Sequence, residues 1–160
     1  MGRGESRITC SAARGYALPF ALLAIALAAA GAASVASSWA DDLGRDKEAE
    51  LLRVGNLYAR AIAAYRRNSP GSAKRYPPDL ESLLEDRRLV TMTRYLRDLY
   101  ADPVTGSRDW GLVRGPDGGI RGVYSRSSRV PWRRAAVTLE DCSLPPAQRY
   151  EDWKFMGSDT

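Results

Sequence analysis

Tyr16–Ala40, YALPFALLAIALAAAGAASVASSWA, is 25 residues long and carries no charged side chain. As a helix rising about 1.5 Å per residue it reaches roughly 37 Å, enough to cross a bilayer core of about 30 Å. Its first half (Leu18, Phe20, Leu22, Leu23, Ile25, Leu27) is the more apolar, and its second half is richer in Ala and Ser, with Gly31. Small residues let helix backbones approach closely, so the stretch suits packing against other helices as well as lipid. Arg3, Arg7 and Arg14 precede it, and Asp41 and Asp42 follow it. A positive-inside orientation puts the rest of the chain on the far side of the membrane from the arginines.

Three readings of this stretch compete. In a cleaved secretory signal peptide, Ser38-Trp39-Ala40 before Asp41 is the small-x-small cut site. In an uncleaved anchor, nothing is cut. In the third reading the cut lies before the apolar run, after Gly15. Arg14-Gly15-Tyr16-Ala17-Leu18 resembles the class III signal of type IV pilins and pseudopilins. The resemblance implies cleavage after Gly15 by prepilin peptidase, with Tyr16 as a methylated new N-terminus. At the fifth mature position the family usually has Glu, and this chain has Phe20. Pro19 follows Leu18 in the first helical turn, where its missing N–H would have no partner in any case.

Beyond the apolar run, Leu51, Val54, Tyr58, Ala61, Ile62 and Tyr65 recur at spacings of three and four. Asp46, Lys47, Glu48, Glu50, Arg53 and Arg60 fall between them and read as a solvated face. The pattern predicts one long helix from about residue 17 to 67, loosened at Gly44 and ended by Asn68-Ser69-Pro70-Gly71. A short helix is expected near 79–86, capped by Asp79, with Leu80, Leu83 and Leu84 on its apolar face. Met92–Tyr100 fits another turn or two, with Tyr95, Leu96 and Leu99 inward. Asp102-Pro103-Val104-Thr105-Gly106 reads as a turn. Asp109–Arg114 and Ile120–Ser125 read as a hairpin around Gly115-Pro116-Asp117-Gly118-Gly119. Residues 126–149 read as polar and irregular, and Tyr150–Met156 as a last strand anchored by Trp153 and Phe155.

The chain has 160 residues, a net charge of +5 and no histidine. The commonest general base and transition-metal ligand is therefore missing. Without the leader and its Cys10, Cys142 has no disulfide partner and reads as a semi-buried thiol. Ser125, Ser127 and Ser128 have no histidine to activate them, and the glycine-rich 115–119 loop lacks the lysine of a phosphate site. No catalytic residue, cofactor or enzyme activity is read from the sequence. Arginine pairs at 66–67, 87–88 and 133–134 are scattered, which speaks against nucleic acid as a partner.

Taken in order, residues 47–125 are similar to the soluble part of the major, G-type pseudopilin of type II secretion. The pieces are Lys47-Glu48-Ala49-Glu50, Tyr58-Ala59-Arg60-Ala61-Ile62, Ser69-Pro70-Gly71, Tyr76-Pro77, Leu80, Leu83-Leu84, Asp102-Pro103, Gly106 and Asp109-Trp110-Gly111. The fold this implies is α+β and pilin-like. A long N-terminal helix, half in the membrane and half soluble, packs on a short helical region and a small antiparallel sheet. The implied organisation is a leader at 1–15, a transmembrane and filament-core helix at 16–40 and a periplasmic domain at 41–160. The implied role is a pseudopilus subunit in the bacterial inner membrane that supports protein secretion. Its implied partners are its own copies in a helical homopolymer, other pseudopilins, prepilin peptidase and the inner-membrane secretion platform. Phe20 also keeps a minor-subunit role open. Family members of this type bind calcium near the C-terminus, but residues 125–141 offer only Glu140 and Asp141 among Arg126, Arg129, Arg133 and Arg134. No metal site is therefore expected, and Asp102, Asp109 and Asp117 read as turn and cap residues. A periplasmic or secreted binding protein with a cleaved signal peptide, and a membrane-tethered adaptor that never polymerises, remain the alternatives.

Overall fold

The computed structural model describes residues 17–72, 74–88 and 92–158, with side chains at 18–31, at Trp39 and from Asp41 onward. The expected leader therefore lies outside the described residues. Helix α1 spans Ala17–Arg67, and the chain divides into two units between Asp42 and Leu43. Among the described residues no helix is long and apolar enough to cross a membrane. The expected span at 16–40 extends over residues 32–38, whose side chains lie outside that description.

In the second unit, the apolar stripe on α1 is the centre of the core. Leu51, Val54, Tyr58, Ala61, Ile62 and Tyr65 are all buried. Each fully buried Leu or Ile contributes roughly 1.5–3 kcal/mol. The helix ends cleanly because all four of its last carbonyls find donors. Asn68 N–H donates to Ala64 O and Ser69 N–H to Arg66 O. Arg88 Nη2 and Ser69 Oγ donate to Tyr65 O, and Lys74 Nζ to Arg67 O. These groups have no partner within the helix itself.

The three-stranded sheet contains β1 (Gly111–Arg114), β2 (Ile120–Tyr124) and β5 (Lys154–Met156), in the order β1-β2-β5. Both pairings are antiparallel, with Leu112 opposite Val123 and Val123 opposite Phe155. Gly118 takes φ +77° in the β1–β2 turn, a conformation that favours glycine. Val123, Trp153 and Phe155 are buried. The Phe155 ring sits where a Cβ on Gly55 of α1 would come within 2.4 Å of it. Tyr58 meets Trp110 at 5.3 Å between ring centroids, and both donate hydrogen bonds to Tyr100 O. Trp153 Nε1–H has no acceptor among the described residues, so the ring's apolar burial outweighs that loss.

Several expectations need correction. The helix expected at 79–86 is a single 3₁₀ turn, Glu81–Leu83. Asp79 Oδ1 does accept the Ser82 N–H at 2.8 Å. Residues 92–100 form no helix, because Thr93 bridges to Asp86 and Tyr95 and Leu96 donate to Leu83 O. Leu96 is buried, but Met92 is exposed. The irregular 126–149 segment holds a short antiparallel pair, β3 (Val137–Thr138) and β4 (Ser143–Leu144). The last strand starts later than expected, after a 3₁₀ turn at Tyr150–Asp152.

Candidate functional site

Of the residues singled out for processing, Gly15 and Tyr16 lie outside the described residues. The filament-core candidates Leu18, Phe20, Leu22, Leu23, Ile25 and Leu27 are 55–76% exposed. At 3.6 residues per turn, Leu18, Leu22 and Ile25 fall within about 60° of one another, and Phe20, Leu23 and Leu27 lie on the opposite face. Alanines occupy the flanks between these two ridges. Covering six such side chains is worth on the order of 10 kcal/mol. The six large apolar side chains thus lie on two opposite faces of the helix.

The second unit carries a different construction. Glu48 was expected on the solvated face, but it is 1% exposed. Its carboxylate accepts the N–H of Trp132 at 2.6 Å, the N–H of Arg133 at 3.1 Å and the hydroxyl of Tyr150 at 2.9 Å. Arg133 Nε adds a longer ion pair at 3.6 Å. Burial and then this carboxylate push the Tyr150 hydroxyl well above its usual range, so it stays a donor. The loop at 126–134 is also fastened by Tyr150 N–H to Arg129 O and Glu151 N–H to Ser127 O. Gly44 lies within α1. It leaves room for the Trp132 ring, whose Nε1 would lie 2.6 Å from a Cβ there. The helical register offered a clue: Glu48 stands one turn before Leu51 and Leu52, on the stripe continued by Gly55 and Tyr58.

Other carboxylates fasten in the same manner. Asp86 takes a two-pronged contact from Arg88, at 2.8 and 2.7 Å. That contact holds the carboxyl below the usual carboxylate range. Arg88 also lies 3.5 Å over the Tyr65 ring, tying the 86–88 segment to the end of α1. Asp102, fully buried, accepts from Val104 N–H, Thr105 Oγ and Ser125 Oγ. It is a turn residue, as expected. Asp109 pairs with Arg126 on the surface, and Asp117 accepts the Gly119 N–H. Asn56 and Arg60 bind Asp141, and Cys142 lies beside Asn56 with its thiol pushed up to about 11 by burial. Among the described residues no three His, Cys, Asp or Glu side chains come together to hold a metal ion. The buried carboxylates Glu48, Asp86 and Asp102 all accept hydrogen bonds from donors of their own chain.

Compared with known proteins, the chain matches no family model, no curated protein and no solved structure.

Proposed function

We propose that the chain is a structural subunit of a periplasmic pseudopilus that supports type II protein secretion. The observation that carries this reading is the exposure of Leu18, Phe20, Leu22, Leu23, Ile25 and Leu27 on the same helix whose later turns centre an α+β core. Such a helix is held in lipid as a monomer and by its copies in a filament. Ala-rich flanks let those copies approach, and a head-to-tail contact that does not close gives a helical polymer. The leader motif at Arg14-Gly15-Tyr16 supplies the release step, by prepilin peptidase on the cytoplasmic face of the inner membrane. The folded unit then sits in the periplasm. Phe20 brings an apolar contact where the family has a carboxylate, which fits a minor subunit as well as the major one.

Mass spectrometry of the protein recovered from its native membrane tests this reading. The expected N-terminus is methylated Tyr16, lost when prepilin peptidase is deleted. An N-terminus at Asp41 overturns the proposal in favour of a released, signal-peptide-dependent protein.

A further inference from the structure

Among the described residues beyond Asp42, four large apolar side chains are exposed: Leu43, Met92, Val130 and Trp132. Three of them fall on two stretches, 43–44 and 130–132, that meet where Trp132 packs against Gly44. Trp132 packs over Gly44, next to Leu43, and Val130 is two residues from Trp132. This exposure does not come from a loose loop, because the Trp132 and Arg133 N–H groups are anchored on buried Glu48. Two hollows flank the apolar tip. One, of about 240 Å³, is lined by Arg45, Glu48, Trp132 and Arg133. The other, of about 540 Å³, is lined by Val130, Arg134, Arg149 and the chain at 146–148. Glu48 is the sole acid among these lining residues, and its oxygens are already engaged. Arg45 stacks 5.5 Å over the Trp132 ring, and Arg149 gives one nitrogen to Glu151.

We propose that this corner, Leu43, Val130 and Trp132 framed by Arg45, Arg133 and Arg134, seats the folded unit on an anionic phospholipid surface. The apolar side chains enter the boundary between headgroups and acyl chains, where tryptophan is favoured. The arginines meet lipid phosphates in the two hollows. Lipid is favoured over an acidic protein because the corner begins at Leu43, three residues after the apolar run ends at Ala40. Asp41, Asp42 and Asp46 oppose the arginines, so apolar insertion is the larger part of the attraction. The inference rests on residues 16–40 being held in a membrane.

The test uses the mature full chain carrying Trp39→Phe, reconstituted in phosphatidylcholine vesicles with and without phosphatidylglycerol. Trp110 and Trp153 are buried, which leaves Trp132 as the exposed indole. Brominated acyl chains are expected to quench its emission in the anionic vesicles. The quenching should fall at least twofold with Arg45→Glu plus Arg134→Glu and vanish with Trp132→Phe, which keeps the N–H to Glu48. A chain that floats with the vesicles but shows no quenching overturns the seat and leaves the membrane reading intact. A chain that does not float overturns both. Shielding of Trp132 from aqueous quencher that follows protein concentration and not lipid assigns the corner to a second copy and overturns it too.

Discussion

Leu18–Leu27 and Leu51–Tyr65 are both apolar, both lie on α1, and have opposite surroundings. The later stretch puts its bulk on one stripe, and its own chain covers that stripe with Trp110, Val123, Trp153 and Phe155. The earlier stretch puts bulk on two opposite faces, and its large side chains are left exposed. The difference teaches how to read apolar helices. A one-sided pattern asks for a partner within the fold, whereas a two-sided pattern asks for a surrounding medium.

The comparison breaks hardest at Tyr58. Tyr58→Ala removes a fully buried ring that touches Trp110 and is expected to cost about 4 kcal/mol in urea unfolding of the detergent-solubilised chain. Leu23→Ala should leave that unfolding curve in place and lower only vesicle flotation and filament yield. Equal losses of stability would erase the distinction between the two stretches.

The glycines of the same helix sharpen it further. Gly55→Ala drives a methyl into the Phe155 ring, for a loss of up to about 3 kcal/mol. A Cβ added at Gly31 would meet nothing within 4 Å among the described residues, so Gly31→Ala should stabilise the helix by up to about 1 kcal/mol in detergent. If Gly31→Ala also impairs filament assembly, a neighbouring copy packs at that position.

A further contrast separates apolar from polar fastening. Asp86 titrates lower folded than its usual value near 3.8, because Arg88 donates to its carboxylate. Its contribution is therefore complete above the unfolded value and disappears as pH falls through the folded one. Asp86→Asn is expected to cost about 2 kcal/mol at neutral pH. Thermal melts of Asp86→Asn and the unmutated protein should converge in strong acid. A constant gap at all pH values would mean that the charge has no part in the contact.

Much of this was legible in the residues. The 3.6-residue periodicity of Leu51–Tyr65 and the breakers at 68–71 locate the helix and its end, since both are local signals. The Gly115–Gly119 turn likewise locates the hairpin. What escaped depends on partners distant in sequence. Glu48 looked like a surface charge until the Trp132 and Arg133 N–H groups and the Tyr150 hydroxyl came to it. Residues 92–100 looked helical because Tyr95, Leu96 and Leu99 are suitably spaced, but Thr93 pairs with Asp86, Tyr95 and Leu96 donate to Leu83 O, and the segment is irregular. Of the candidate site, the six apolar residues were visible by composition, and the corner at Trp132 was not.

The sequence by itself determined that α1 carries two kinds of apolar surface, because spacing along a helix dictates which face each side chain occupies. Only the tertiary structure decided that Glu48 is buried and that Trp132 is held outward beside Gly44. A carboxylate's environment is set by the donors that reach it, and here those donors lie more than eighty residues along the chain.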